Sequence, residues 1–182
     1  NGVIGKLDLS SSNNIQDMFS NATSFNQPLD SWDTSNLTSI KQMFSGATSF
    51  NQPLNSWDTS SVTSPDFMFE GASAFNQPLN SWDMSSATSM QKMFNGATAF
   101  NQDISAWDFE GLTNSFALIR FIKSSSMSTA NYSALLIRWA AQDVKDSLTV
   151  DSGSIQYSAS AASARQSLLD DDSWSITDGG QA

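Results

Sequence analysis

Apolar residues return along this chain in a fixed phase. Phe25, Phe50, Phe75 and Phe100 stand 25 positions apart, as do Trp32, Trp57, Trp82 and Trp107. Met-Phe pairs at 18–19, 43–44, 68–69 and 93–94 keep the same step. Leu7-Asp8 carries the register backwards, and Leu112-Thr113 carries it forwards. The intervening positions are mostly Ser, Thr, Asn and Asp, so that one copy reads FNQPLDSWDTSNLTSIKQMFSGATS. A strict period of about 20 to 50 residues marks a solenoid. A single copy is too small to bury its own apolar face, so copies are expected to stack around a shared core. The phased apolar set is Phe25, Leu29, Trp32, Leu37, Ile40, Met43, Phe44 and Ala47. A helical bundle would need more Leu, Glu and Lys and far less Ser and Asn.

Each copy divides into three parts. PLDSWDTS, residues 28–35, predicts a short strand, because Trp and Thr favour strands and Pro28 cannot sit mid-sheet. DTSNLTSIKQMF, residues 33–44, opens with capping residues and then spaces Leu37, Ile40, Met43 and Phe44 as a helix would. It predicts a short helix or 3₁₀ turn. SGATSFNQ, residues 45–52, predicts a return loop in which Gly46 is free to take positive φ. Pro65 stands where Ile40 and Met90 stand in other copies, which predicts a local distortion rather than a break.

The region after the repeats has a different pattern. Tyr132, Leu135, Leu136 and Trp139 share one face of a helix beginning at Ser128 or Thr129. A second helix is expected over Ser158 to Leu169 and a strand at SWSITD, with Gly179-Gly180 ending the domain. An open solenoid end exposes core and strand edge, so this tail is expected to be a cap. The expected fold is an α/β solenoid: about five rungs over residues 1–118, a helical and strand cap over 119–182, and one cooperative domain.

Composition narrows the function classes. The 182 residues carry 8 Lys plus Arg against 18 Asp plus Glu, a formal charge of -10. Nucleic acid and anionic membranes need a basic face, so neither is an expected partner. Five of the 8 basic residues (Arg120, Lys123, Arg138, Lys145 and Arg165) lie in the tail, which leaves the repeats the more acidic part. Cys and His are absent. Disulfides, thiolate or imidazole metal sites and Cys–His or Ser–His pairs are therefore excluded. A metal site would have to use oxygen ligands, which points to calcium. No stretch approaches the roughly 18 apolar residues of a membrane span. The first residues enter mid-pattern without an initiator Met and without a signal-peptide layout, so a piece of a longer protein is expected.

The phased 25-residue word, over about Gly2 to Leu118, resembles the short-repeat surface proteins related to BspA-like leucine-rich repeats. Such repeats are also known from mycoplasma lipoproteins and lactobacilli. YSALLIRW from Tyr132 and WSITDGG from Trp174 are similar to segments that close such arrays. The resemblance implies a right-handed, leucine-rich-repeat-like stack. It also implies a non-catalytic, cell-surface module in adhesion or recognition, often part of a long adhesin. Pro65 and the copy QDISAWDFEG depart from the pattern of the word.

In a stack, every repeated residue becomes a column at about the strand spacing of 4.8 Å. Asp8, Asp33, Asp58, Asp83 and Asp108 form one such column. If Trp32 points inward, strand alternation turns Ser31 and Asp33 to the outer, concave face, and Ser56 and Ser81 with them. Two readings of the aspartates stay open. Each carboxylate either accepts backbone N–H bonds as a turn cap, or joins a ligand- or cation-binding ladder in which Asp33, Asp58 and Asp83 hold calcium. Asn26, Asn51, Asn76 and Asn101, with the Gln after each, are read as amides tying turns together. Threonine columns (Thr38, Thr63, Thr88 and Thr113; Thr23, Thr48, Ser73 and Thr98) make ice binding conceivable, but threonine also suits turns. Thr34, Thr59, Met84 and Phe109 become apolar towards the C-terminal end; facing solvent, Met84 and Phe109 would make an apolar patch suited to a partner, and facing inward, the favoured reading, they are a column repacked near the cap. Glu occurs only at Glu70 and Glu110, and the phased Asp residues recur in every copy, whereas a catalytic carboxylate pair is singular.

The expected function is a non-catalytic extracellular recognition or adhesion module. It would bind protein, peptide or glycan on another cell surface through the concave face. No cofactor is required beyond a conceivable Ca²⁺, no membrane insertion is expected, and the isolated domain is expected to be monomeric. The alternatives are a structural spacer, a glycan-active enzyme or an ice-binding module.

Overall fold

A computed structural model describes Leu9 and residues 11–182. Leu7 and Asp8 therefore lie outside the described residues. Within the repeats the backbone forms a ladder of turns. The N–H groups of Ile40, Gln42, Phe44 and Gly46 donate to the carbonyls of Ser64, Asp66, Met68 and Glu70 in the next copy, at 3.3, 2.9, 2.9 and 2.7 Å. The N–H groups between them turn back within the copy, Met43 to Ile40, Ser45 to Gln42 and Ala47 to Phe44, at 3.3, 3.1 and 3.0 Å. Parallel bridges pair Asn14 with Ser39 and Ser39 with Ser64.

This alternation replaces two expected elements. Residues 33–44 are not a helix. Gln42 sits at φ 56, which a right-handed helix does not allow. Residues 28–35 are not a strand, because Trp32 N–H bonds back to the Leu29 carbonyl as a turn, at 3.2 Å. The spacing of Leu37, Ile40, Met43 and Phe44 buries all four side chains in the turn ladder just as a helix would. Ser, Thr and Asn are indifferent helix formers, and the neighbouring copy supplies acceptors that a lone helix would not need. Gly46, Gly71 and Gly96 take φ 69, 69 and 74, as expected of a return turn.

The core runs through the copies. Phe25, Phe50, Phe75 and Phe100 stack with ring centroids 5.8, 6.0 and 6.2 Å apart. Phe19, Phe44, Phe69 and Phe94 form a second stack at 5.6, 5.7 and 5.5 Å. The two stacks meet within each copy, as at Phe44 and Phe50, 3.9 Å apart. The tryptophans make a third, with Trp57 6.5 Å from Trp82. Identical rings one rung apart must lie parallel and offset, a favoured aromatic geometry. Each buried ring contributes about 1.5–3 kcal/mol, and much of that burial comes from the neighbouring copies.

Pro65 costs one ladder bond and no more. It has no N–H to give Ser89, whereas Phe67, Phe69 and Gly71 still donate to Gln91, Met93 and Asn95 at 2.8, 2.9 and 2.8 Å. The following Asp66 carboxylate tightens the same place, accepting from Gln91 N–H at 2.8 Å and from the Ser89 hydroxyl at 2.7 Å.

The ladder continues past Leu118. Met90, Lys92, Phe94 and Gly96 donate to Ala117, Ile119, Phe121 and Lys123, at 2.9, 3.0, 2.8 and 2.8 Å. The donor-to-acceptor step here is 27 residues instead of the 24 seen from Ile40 to Ser64, so three extra residues have been absorbed. Arg120 and Ser124 take φ 54 and 58, matching Lys92 and Gly96.

The tail then closes this end. Helix α1, Thr129–Ala140, begins as expected at Ser128, whose hydroxyl accepts from Asn131 N–H, and it buries Tyr132, Leu135, Leu136 and Trp139. A 3₁₀ turn, Ala159–Ala161, leads into α2, Ala162–Asp170. Strand β1, Thr149–Asp151, was not foreseen; it pairs in parallel with the expected strand β2, Ser175–Thr177. Phe109 meets Trp139 edge-on at 5.7 Å, joining the last copy to the cap. Asp178, whose side chain is 2% exposed, accepts from Arg165 Nε at 2.8 Å and from the Tyr132 hydroxyl at 3.1 Å.

Candidate functional site

The aspartate column is a row of turn caps. Asp33, Asp58, Asp83 and Asp108 each accept, through Oδ1, the backbone N–H two residues on. The donors are Ser35, Ser60, Ser85 and Glu110, at 3.2, 3.0, 2.9 and 2.8 Å. The Ser35 and Ser60 hydroxyls add a bond of 2.7 Å each. Hydrogen bonds from the Ser85 hydroxyl and N–H hold the Asp83 carboxyl below its ordinary value of 3.8, against a smaller opposing effect of burial. Donors aimed at a carboxylate stabilise its charged form, which offsets the repulsion along the column. Among the described residues no three acidic side chains converge closely enough to hold a metal ion. Asp8 lies outside the described residues. Ser31, Ser56 and Ser81 are exposed beside the aspartates. Ser81 N–H is held by the Asn55 side chain at 3.0 Å.

The amide column ties copy to copy. Asn26 Oδ1 accepts from Asn51 N–H at 2.9 Å and from Gln52 Nε2 at 3.0 Å. Asn51 and Asn76 repeat the arrangement towards the next copy. At the last rung Asn101 Oδ1 accepts from Ser128 N–H and Asn131 Nδ2, so the amide column ends on the cap of α1.

The threonine columns are also spent on the stack. Thr63, Thr88 and Thr113 hydroxyls donate to the carbonyl of the equivalent residue one copy back, at 3.2, 3.2 and 3.4 Å. Thr48, Ser73 and Thr98 do the same. A hydroxyl directed at the backbone of the preceding copy is a poor template for ordered water. The Thr34, Thr59, Met84, Phe109 column faces inward, the favoured of its two readings, with Thr34 and Thr59 donating to Asp58 and Asp83 carbonyls.

The sequence reading passed over a different surface. The outer side of the turn ladder carries the residues that differ from copy to copy. Phe67, half-buried, lies between two cations, with Lys41 Nζ 5.6 Å and Lys92 Nζ 5.4 Å from its ring centroid. Cations over an aromatic face attract its quadrupole. Lys92 also approaches Glu70 at 3.5 Å, and Asn95 donates to Glu70 at 3.0 Å. One rung further, Arg120 and Lys123 reach Asp151 at 3.7 and 2.6 Å. The available signal was the irregular residue choice at Asp17, Gln42, Phe67 and Lys92 inside an otherwise strict word. Their common φ near +55° makes them one structural position.

No helix among the described residues is long and apolar enough to cross a membrane. No curated protein and no solved structure matches the chain. Residues 13–132, the repeats together with the start of α1, match the family described as Mycoplasma protein of unknown function, DUF285, and the chain belongs to that family.

Proposed function

We propose that this chain is a non-catalytic recognition module of a larger, extracellular bacterial surface protein, built as a right-handed, leucine-rich-repeat-like solenoid of the BspA-like kind. The observation that carries the reading is a division of labour among side chains. Most side chains that repeat are spent on the core, on caps and on inter-copy bonds, whereas those at 41–42, 66–67 and 91–92 change from copy to copy and stay partly accessible on the turn-ladder face. A fold requirement recurs with the fold, whereas a surface that reads a partner is free to vary. With the aspartates engaged as caps, contact with a protein, peptide or glycan falls to the face around Phe67, Lys41 and Lys92. A half-buried ring edged by cations suits an anionic or polar partner with an apolar patch.

Glycan and peptide arrays probed with the purified chain test the proposal. Binding to a restricted set of probes is expected. It should be lost with Phe67→Ser and with Lys41→Ala plus Lys92→Ala, and kept with Asp58→Asn plus Asp83→Asn. Silence on both arrays, or turnover of a polysaccharide, overturns it. A second reading, a structural spacer, draws on the same inter-copy bonds, which would stiffen a rod. Silence would favour it.

A further inference from the structure

Between residues 11 and 118 the chain has two basic residues, Lys41 and Lys92, against ten acidic ones. They belong to different copies, and neither recurs at its own position. Gln16, Asp66 and Gln91 stand where Lys41 stands, and Asp17, Gln42 and Phe67 where Lys92 stands. Both ammonium groups nevertheless lie over the ring of Phe67, 5.6 and 5.4 Å from its centroid. Phe67 is itself an irregular choice. Its φ of 60 is costly for a residue with a Cβ and rare for a bulky one. The turn does not need an aromatic, because Asp17, Gln42 and Lys92 hold the same conformation. The core does not need it either, because Phe69 fills that place at 0% exposure while Phe67 stays half-buried. A bulky side chain kept in a strained conformation at the surface points to a role there.

The two cations are not equivalent. Lys92 Nζ is countered by Glu70 Oε1 at 3.5 Å, and the same oxygen accepts from Asn95 Nδ2 at 3.0 Å. Among the described residues no ion pair holds Lys41. Asp66, which replaces Lys41 in the next copy, directs its carboxylate forwards to Gln91 N–H and the Ser89 hydroxyl.

We propose, on the reading of this face as the recognition surface, that Lys41, Phe67 and Lys92 bind an isolated carboxylate on an otherwise neutral saccharide, and that Glu70 competes with it for Lys92. Lys41 lies in the copy before Phe67 and Lys92 in the copy after, so the ammonium groups take the two faces of the ring. What the ring has left is its edge, the positive side of its quadrupole, which favours an oxygen. A polyanion fits poorly, because beyond the two lysines it meets only the carboxylates of the repeats. An extended peptide fits poorly as well. The N–H groups of Gln42, Phe44, Phe67 and Phe69 already donate along the ladder, at 2.9, 2.9, 2.8 and 2.9 Å, so a peptide finds no row of donors for its own carbonyls. Sugar hydroxyls need only side-chain partners. Gln42, one copy back in the column of Phe67, and Gln91, whose carbonyl accepts Phe67 N–H, are partly accessible for that purpose.

The test follows the Phe67 ring and the lysine ε-methylene signals of the whole chain by NMR. The probe is cellotriose with its terminal C6 as a carboxylate. Saturable shifts at Lys41, Phe67 and Lys92 are expected, and cellotriose itself should give none. Lys41→Gln should weaken binding about tenfold, as loss of a charge-assisted contact does. Glu70→Gln keeps the acceptor for Asn95 but releases Lys92, so it should tighten binding, which a merely structural Glu70 would not do. Both variants should melt as the parent does. Equal shifts with cellotriose, tighter binding of a heparin oligosaccharide or of a peptide with one glutamate, or a Glu70→Gln variant that binds no tighter overturns the proposal and leaves this face as the recognition surface. No shift at the three residues with any probe overturns both.

Discussion

The indole N–H of Trp82 is bonded to the backbone carbonyl of Leu54, 28 positions earlier, at 2.8 Å and out of contact with water. Trp57 to Leu29 and Trp107 to Leu79 repeat it, at 3.1 and 2.9 Å. The ring fills the core while its one polar atom ties that core to the previous copy. Trp82→Phe keeps an aromatic in the stack and removes one of the two donors to the Leu54 carbonyl, which still accepts from Trp57 N–H at 3.0 Å. One lost hydrogen bond costs about 0.5–1.5 kcal/mol, and the lost ring volume adds to it. A loss of about 1–3 kcal/mol is expected in denaturant unfolding, with a single transition retained.

The capping role of the aspartates separates two substitutions. Asp58→Asn keeps the Oδ1 acceptor that holds Ser60 N–H and should be nearly neutral. Asp58→Ala removes it and should cost about 1 kcal/mol, as loss of a comparable cap does. Thermal melts of both variants, with and without calcium, check this. Calcium should not distinguish them. A rise in melting temperature with calcium that Asp58→Asn abolishes would restore the cation ladder.

Two aspartates bend the pH profile in opposite directions. The Asp83 carboxyl lies below its ordinary value of 3.8 in the fold, so its contribution is full above that pH and is lost as pH falls through the folded value. Asp172 is pushed up from 3.8, first by burial and then by the charges of Asp146, Asp171 and Asp143. Its protonated form favours the fold, so its contribution is present below 3.8 and is lost as pH rises through the folded value. Asp172→Asn should therefore be more stable than the parent at pH 7, with an advantage that shrinks in acid and in high salt. Asp83→Asn should differ from the parent most at neutral pH and least below 3.8. Melting temperatures from pH 2 to pH 8, compared with the parent at each pH, test both.

The cap rests on a partly buried pair. Asp178 accepts from Arg165 Nε and Nη2 at 2.8 and 3.2 Å, from the Tyr132 hydroxyl, and from Gly180 N–H at 3.1 Å. Arg165→Met strands a carboxylate with a 2% exposed side chain and should cost about 3–5 kcal/mol. Adding Asp178→Asn should recover part of that loss, because the remaining amide is uncharged. Unfolding free energies of the two single variants and the double variant give the coupling. Additive losses would show that the pair acts as separate groups.

Gly111 is held by close backbone approach. A Cβ there would lie 2.5 Å from the Ser85 carbonyl oxygen and 2.9 Å from that of Ala87. Gly111→Ala should cost about 1–3 kcal/mol, as overpacking does, whereas Ala at the neighbouring exposed Glu110 should cost far less. Side-by-side denaturant titrations decide it.

Much of this is legible in the sequence. The 25-residue period named the core columns, and Phe25, Leu29, Trp32, Leu37 and Phe44 are buried as the phase required. The capping signal at Ser128 and the face of Tyr132, Leu135, Leu136 and Trp139 located α1 within one residue. These features are local or periodic, so a one-dimensional pattern carries them. The ladder itself was not legible. Leu37, Ile40, Met43 and Phe44 bury equally well on a helix or on a turn ladder, and only the second needs the next copy. The run Ser115 to Ser124 lacks the Met-Phe pair and the 25-residue step, so its place as a further rung was hidden. Its backbone nevertheless follows the copy before it, because Met90, Lys92, Phe94 and Gly96 present donors that something must satisfy. The aspartate after each tryptophan was visible as a column, but its task depended on where Ser35, Ser60 and Ser85 N–H groups point. The sequence alone determined which residues are buried and how often the chain returns. The tertiary structure decided where each N–H finds its acceptor, because that acceptor belongs to another copy about 25 residues away.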